Sequence, residues 1–563
     1  MPIIGIDLGT TNSLASCFID NECVVIPNAL GDRLTPSVVS VLENGEIAVG
    51  KIAKERLITN PQATAEVFKR YMGSKKAYQL ESHSFLPQEL SSFVLKSLKA
   101  DAEAYLKTSV EEAVISVPAY FNDHQRKATI EAGKLAGLKV ERLISEPTAA
   151  AVAYGITKET DDVKFLIFDL GGGTFDVSIV EWFSGILEIR AVAGDNFLGG
   201  EDFNDVLRKH FMKECYIDGS ELSLQEESAM KKMIESAKLQ LSSNPAATLK
   251  GFYGGEHREL IVSSDEFQRL SEDLFCRLRR PLQRALKDSK LKTTQLERYI
   301  LVGGATKMPM IRSYLAKISG KFPVNSINPE EVVAIGAGFC AAMKERNEAL
   351  KENILTDVCP YTLGTEVSKA DEYGGYSNGH FMPIIERNTI IPCSRSDKFV
   401  TMYDNQSKLN VGIYQGEHRL ASENIYLGEL TIEVPPAPKG QSWIDVRYTY
   451  DINGILEVEV KSSIEMVRKV IVNSDLDMTK EEIEERLKKL KDLKIHPRDQ
   501  QKNRYLLEWG DRLFQESLGD IRKRISDLLQ RFTAVLERQN PDEIREAAAS
   551  LESFFKGIDA KLF

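Results

Sequence analysis

Two short segments of this chain carry the residue types that grip phosphate. Ile4-Gly5-Ile6-Asp7-Leu8-Gly9-Thr10-Thr11-Asn12-Ser13 is echoed by Leu166-Ile167-Phe168-Asp169-Leu170-Gly171-Gly172-Gly173-Thr174-Phe175. Each reads as an apolar strand, then Asp, then Gly followed by Gly or Thr. Glycine lets the backbone turn tightly and bring N–H groups up to phosphate oxygens. Threonine hydroxyls add donors, and a carboxylate at the strand end suits a hydrated Mg²⁺. Two such turns facing one another would clamp a triphosphate from both sides. One alone is as readily an ordinary hairpin turn, but a matched pair weighs strongly for phosphate. A third glycine turn, Leu301 to Pro309, includes Gly303, Gly304 and Lys307 and also follows an apolar run. Neither a G-x-x-x-x-G-K-[ST] loop nor a G-x-G-x-x-G after a strand is present, which disfavours the P-loop and Rossmann folds.

Such turns need sheets behind them. The chain has 563 residues, 42% of them hydrophobic, enough for about three to five domains, each with its own core. Up to about residue 352, short apolar runs (Ile3 to Ile6, Glu112 to Val117, Phe165 to Phe168, Tyr299 to Val302) alternate with helical stretches, the pattern of α/β domains. After Asp357 the runs Lys398 to Tyr403, Leu409 to Gln415, Ile444 to Tyr450 and Ile455 to Lys461 are bounded by Asn, Gly or Pro. Asp451-Ile-Asn-Gly454 makes a hairpin turn, and an antiparallel β-sandwich is expected. From Asp475 the composition becomes that of charged helices. Thr479 with Glu482 makes a capping box ahead of Ile483, Leu487 and Leu490, and Pro541 opens a further helix. The expected units are a two-lobed domain over 1–352, a linker at 353–357, a sandwich over 358–474 and a helical lid over 475–563.

Composition excludes several functions. With 72 Lys+Arg against 83 Asp+Glu the net charge is −11, which argues against nucleic acid as a partner. Seven scattered cysteines, with no C-x-x-C, argue against a disulfide framework or zinc cage and fit a reduced cytoplasmic compartment. The N-terminus lacks a signal-peptide pattern and no apolar run reaches the ~18 residues that span a bilayer, so no membrane association is expected.

At the phosphate motifs the sequence resembles the actin, sugar-kinase and heat-shock ATPase superfamily, and more closely the DnaK-type heat-shock chaperone family. The resemblance extends through Val117-Pro-Ala-Tyr-Phe-Asn-Asp123, Ser145-Glu-Pro-Thr-Ala-Ala-Ala151, Leu198-Gly-Gly-Glu-Asp-Phe203, Asp404-Asn-Gln406 and Gln415-Gly-Glu417. Short lobes and a short tail look most like its compact bacterial branch called HscC. It implies a duplicated actin-like (ribonuclease-H-like) α/β ATPase domain, followed by an antiparallel β-sandwich and a short α-helical lid. ATP or ADP, Mg²⁺ and an optional K⁺ would be the cofactors. Residue by residue, Asp7 and Asp169 match carboxylates around the Mg²⁺-bound phosphates, and Glu146 and Asp176 match acidic residues that organise metal-bound water. Gly9, Thr10, Thr11 and Asn12, with Gly171, Gly172, Gly173 and Thr174, match the phosphate loops, and Gly199, Gly200 and Glu201 a further turn. Lys69 matches the lysine near the γ-phosphate; Lys69, Glu146, Asp169 and Thr174 form the implied catalytic set. Glu235, Lys238 and Ser242 share a helical face that in the family holds ribose and adenine. Lys307 stands where the family usually has Arg and stacks less well on a base.

The same resemblance implies coupling to a peptide site. Ile354, Leu355 and Asp357 match the interdomain linker, here more polar through Asn353 and Thr356, which predicts weaker docking. Pro118 and Arg126 match a relay of nucleotide state, and Arg142 part of a J-domain contact. Thr365, Val367, Phe399, Met402, Leu409 and Val411 match positions around a channel for extended polypeptide, although plain sandwich core is the commoner fate of residues such as Phe399, Leu409 and Val411 and is expected for at least one of them. The stretch Lys369 to Phe381 reads as an insertion there. The segments between Met72 and Leu90 and between Asn244 and Glu259 read as shortened, the latter as a compact turn, so the need for a nucleotide-exchange factor is open. A short lid predicts brief substrate retention. The implied function is that of an ATP-hydrolysing chaperone for unfolded polypeptides with a J-domain partner. A small-molecule kinase on the same duplicated fold would lack the β-sandwich, and an actin-like filament protein leaves the last ~200 residues unexplained.

Overall fold

The structure is a computed structural model that describes residues 2–158, 163–183, 186–324, 326–345, 354–370, 376–391, 393–450, 456–471, 501–537 and 541–562. The two phosphate-type segments sit at matching places in two mixed sheets. In the first, strand Ile3–Asp7 lies parallel to Glu112–Val117 and antiparallel to Asn12–Ile19. In the second, Val163–Leu170 lies parallel to Arg298–Val302 and antiparallel to Phe175–Phe183. Each Asp-Gly segment is therefore the hairpin turn at the end of a central strand, and the repeat read from sequence is a repeat of topology.

Between the sheets lie two helices made largely of small residues, Glu146–Lys158 and Val332–Lys344. Ala149, Ala150, Ala151, Ala153, Ala337, Ala341 and Ala342 are buried with residues of both sheets, including Val114, Ile167 and Ile300. The crossing is a backbone contact: a Cβ on Gly336 would stand 1.8 Å from the Ala149 carbonyl oxygen. Each lobe has a further core on its outer side, one around Leu90, Val94 and Phe121, the other around Phe203, Phe211 and Leu278.

Strand Ile354–Val358, which holds residues expected to form a linker, joins the second sheet. It runs parallel to Ile186–Asp195 (Ile186↔Ile354, Leu187↔Leu355, Glu188↔Thr356) and its far end pairs with Ile390–Ile391. Its backbone thus extends that sheet by one strand. Beyond it, two antiparallel four-stranded sheets pack face to face around Leu363, Ile413, Ile432, Tyr448, Leu456, Val458 and Val460. The strand expected over Lys398 to Tyr403 instead spans Cys393–Val400, because its ladder with Trp443–Tyr450 ends at Val400↔Trp443. The Asp451 to Gly454 turn lies outside the described residues, between strands paired at Tyr450↔Leu456. The stretch Lys369 to Phe381, expected as an insertion, lies at the end of a hairpin of Leu363–Ala370 with Tyr376–Ile385, and 371–375 fall outside the described residues. Likewise Asn244 to Glu259 holds no simple compact turn but much of an eight-plus-eight-residue hairpin, Ala246–Tyr253 with Glu256–Ser263, closed by Gly254-Gly255.

The described part of the tail holds three helices, Gln501–Glu516, Gly519–Glu537 and Pro541–Leu562, around Trp509, Leu513, Phe532 and Phe555. The capping box at Thr479 and Glu482 and the stripe at Ile483, Leu487 and Leu490 lie outside the described residues. Helix Gln501–Glu516 rests on helix Lys51–Thr59: Arg56, 3% exposed, donates to Glu508 at 2.6 Å and Glu43 at 2.9 Å.

Because no atom can occupy the gap at the helix crossing, Gly336→Ala must push the two helices apart, at a cost of about 1–3 kcal/mol. Its thermal midpoint should fall by several degrees; a midpoint equal to the parent's would show that the crossing is not the tight contact described.

Candidate active site

The two Asp-Gly turns meet across a cleft. A Cβ on Gly172 would stand 1.8 Å from Thr11 Oγ1, and one on Gly199 would stand 2.5 Å from the Gly173 nitrogen. Side chains larger than hydrogen would fill the space these turns leave. The first turn is braced from behind: Gly9 N–H donates to Ser13 Oγ at 3.1 Å, and Ser37 Oγ donates to the Gly9 carbonyl at 2.8 Å. The third turn enters through Gly303 at φ 85°, a conformation natural to glycine. Below these turns a cavity of about 570 Å³ is lined by Asp7, Gly9, Thr10, Thr11, Asn12, Lys69, Glu146, Asp169, Gly171, Gly172 and Thr174 on the phosphate side. Gly200, Glu201, Glu235, Lys238, Ser242, Gly303, Gly304 and Lys307 line the other side. Gly173, Gly199 and Asp176 stand just behind this lining.

The floor of the cleft gathers charge. Lys69 Nζ lies 2.7 Å from Glu146 Oε1, both side chains nearly enclosed. Glu146 opens its helix, where the N-terminal end of the macrodipole favours an anion. Ser116 Oγ donates to Asp7 Oδ1 at 2.8 Å. Burial, reinforced by the Glu146 charge, lifts the Asp7 carboxyl to about 7, that of Asp169 well above the usual carboxylate range and that of Asp176 to about 8. On the opposite side Lys238 donates to the Gly200 carbonyl at 3.0 Å, and burial pulls its ammonium down despite Glu201 and Glu235. Ser242 caps the same helix, and Lys307 is paired with Glu330.

This donor set fits a hydrated cation beside phosphate. Asp169 Oδ2, Asp176 Oδ1 and Thr11 Oγ1 are buried polar atoms with no protein hydrogen-bond partner. Among the described residues no three His, Cys, Asp or Glu side chains converge into a direct metal cage, so the carboxylates suit Mg²⁺ that keeps much of its water.

Two further groups lie away from the cleft. Asp357 of strand Ile354–Val358 is held beside Arg126, Arg142 and Ser145, whose pull opposes the rise that burial gives its carboxyl. Pro118 is buried, and its carbonyl accepts from the Phe121 N–H in the turn that also receives Arg126 Nε. In the sandwich, strands Leu363–Ala370 and Lys408–Gln415 pair only from Leu363↔Gln415 to Thr365↔Ile413. Past that point they part, and Val367 and Leu409 are half-buried where they diverge. Phe399 and Met402 are half-buried on the other sheet and the turn that follows it. Thr365 and Val411 are in the core, the Thr365 hydroxyl donating to the Gly412 carbonyl at 2.7 Å.

A family model for Hsp70 protein matches residues 3–561. The chain belongs to the Hsp70 family. It is 38% identical, over 96% of its own length and 94% of theirs, to chaperone protein DnaK from Thermotoga petrophila and from Thermotoga maritima. It is 43% identical, over 82% of its length and 78% of the relative's, to chaperone protein DnaK from Thermotoga neapolitana. As an Hsp70, it is an ATP-dependent chaperone that hydrolyses ATP, with ATP or ADP and Mg²⁺ as the family's ligands. No described helix is long and apolar enough to cross a membrane.

The sequence motifs of this Hsp70 contain functional side chains whose part was not read from them. Arg70, next to Lys69, reaches across the cleft to the Gly173 carbonyl at 3.0 Å and to Asp202 at 2.5 Å. Asp202 in turn accepts from the Gly199 N–H at 2.8 Å and lies beside Arg277. Their membership of the Phe-Lys-Arg and Gly-Gly-Glu-Asp motifs was the available signal. Ser116, inside an unremarkable strand, offered none.

Asp7 and Asp176 ionise near 7 and 8 in the folded chain, against about 4 when unfolded. Raised carboxyls contribute stability that is whole below the unfolded value and is lost as pH climbs through the folded ones. The thermal midpoint of the metal- and nucleotide-free protein should therefore fall between about pH 5 and pH 9, and Mg·ATP should offset that fall. A midpoint that rises across this interval would contradict the burial of these groups.

Proposed function

We propose that residues 1–352 form a two-lobed, actin-like ATPase domain, 353–357 the linker, 358–474 a peptide-binding sandwich and 475–563 a lid, and that hydrolysis in the cleft sets the grip on an extended polypeptide. Phosphoryl transfer to water asks for positioning and charge neutralisation rather than a covalent nucleophile. Gly9, Thr10, Thr11, Asn12 and Gly171 to Thr174 hold the phosphates by backbone N–H and hydroxyl donors. Lys69 neutralises charge at the transferred group, while Glu146 holds the ammonium in place. Asp7, Asp169 and Asp176 would hold a hydrated Mg²⁺ through its waters, and the ion would supply Lewis-acid neutralisation of the phosphate oxygens. Glu201, Glu235, Lys238, Ser242 and Lys307 bound the adenosine end.

The observation that carries this reading is the seam between ATPase and sandwich. The linker strand continues the ATPase sheet, Gln415 Oε1 accepts from the Asp123 N–H at 3.2 Å, and Tyr361 donates to the Tyr120 carbonyl at 2.8 Å. Arg387 forks onto Asp288 at 2.9 and 3.1 Å. A nucleotide that shifts the lobes therefore shifts the strands that part at Thr365, where a peptide edge would add by backbone hydrogen bonds with an apolar side chain between Val367 and Leu409. Pro118, Arg126 and Asp357 relay that change, and Arg142 lies where a J-domain partner would sense it. Seven free thiols suit a reducing cytosol.

Two measurements test the reading. Thr174→Ala and Lys69→Ala should keep nucleotide affinity yet lower hydrolysis by about a hundredfold; unchanged turnover would remove these residues from the reaction. A Leu-rich peptide should leave faster when ATP is added. Leu409→Asp should weaken its binding about tenfold, and Asp357→Asn should hydrolyse ATP without accelerating release. Release indifferent to ATP in the parent would refute the coupling.

A further inference from the structure

Helix Lys51–Thr59 touches three parts of the protein through one turn. Arg56 faces the lid, where it binds Glu508. Lys54 reaches over the nucleotide cleft to Glu235 of the opposite lobe at 3.3 Å, and both of these residues line the cavity. Glu55, between them in sequence, faces both ways. Its Oε2 lies 2.5 Å from Nε of Arg512 on the lid helix and 3.7 Å from Nζ of Lys232, which sits on the same helix as Glu235, Leu224–Leu241. One carboxylate oxygen thus receives a cation from the lid and a cation from the far lobe.

The two contacts are unequal. The guanidinium stands in close contact, its side chain 3% exposed and steadied by Glu516 at 2.7 Å. The ammonium is beyond hydrogen-bond distance, and two cations on one anion repel each other. We infer that Glu55 is shared between lid and nucleotide cleft: with the lid docked, Arg512 draws its carboxylate away from Lys232 and loosens the bridge across the cleft. With the lid lifted, Glu55 closes on Lys232 beside the Lys54–Glu235 pair, and the bound nucleotide is held longer. Arg512 is then a positioning residue for nucleotide exchange, although it lies in the lid. The inference rests on the cleft being the nucleotide site.

Release of a fluorescent ATP, chased with unlabelled ATP and Mg²⁺, tests it in the full chain on a Thr174→Ala background that keeps hydrolysis slow. Arg512→Ala should slow release about two- to fivefold, the range of one partly exposed ion pair, and Arg512→Lys should restore most of the parent rate. Lys232→Ala should release faster, and adding Arg512→Ala to it should change nothing further, which is the signature of a shared partner in a double-mutant cycle. A lid that loses its fold in Arg512→Ala frees Glu55 all the same, so the dependence on Lys232 still decides. Release at or above the parent rate in Arg512→Ala, or slowing that persists without Lys232, would overturn the inference. The amplitude of nucleotide binding in the same traces reports separately on the site itself.

Discussion

The spacing of the two lobes depends on the place where helix Val332–Lys344 crosses helix Glu146–Lys158 with Gly336 against the Ala149 carbonyl. A backbone-to-backbone contact has little give, because protein interiors are packed as densely as organic crystals. It fixes how far apart the two sheets stand, and so where Asp7, on a strand of one, lies relative to Asp169, on a strand of the other. The same crossing places Glu146, at the first turn of its helix, over Lys69. The chemistry of the cleft is thus set from beneath by alanines and glycines that never reach it.

Around that floor the protein concentrates unfavourable terms. Three carboxyls are raised by burial, and some of their oxygens have no protein partner. Such groups are costly in the absence of a counter-charge. They make the ligand part of the structure: a cation and phosphates relieve what the fold leaves unsatisfied. The seam to the sandwich is of another kind, built from Arg387, Asp288, Glu417, Gln415 and a pair of tyrosine rings 4.5 Å apart. Polar contacts of this sort lose little when water replaces them, as suits surfaces that separate and rejoin.

Much of this was legible because it is local. The Asp-Gly turns, the strands behind them and the helical face of Glu235, Lys238 and Ser242 follow from residues within a few positions of each other. What escaped depends on residues far apart. Arg70 meets Asp202 only after the second lobe has folded against the first, and Arg387 meets Asp288 only once the sandwich has docked. The strand placed at Lys398 to Tyr403 was displaced because side-chain pattern marks what is able to extend, whereas the partner at Trp443 decides where pairing stops. The place of Ile354 to Val358 was not legible either: a strand that adds to a sheet through its backbone is chosen by the edge it meets at Ile186 to Glu188, far away in the chain.

The linker strand bears on solubility as well. While it lies against Ile186–Asp195, that strand is interior to its sheet and its N–H and C=O groups along the shared register are paired. Once the linker leaves, the same strand becomes a sheet edge with a row of open donors and acceptors, a template that any extended chain could join. A protein that handles unfolded segments would then carry, in its own ATPase half, a second place where one could lodge. In the coupling proposed above, return of the strand would cover that edge again, and docking would double as protection against self-association.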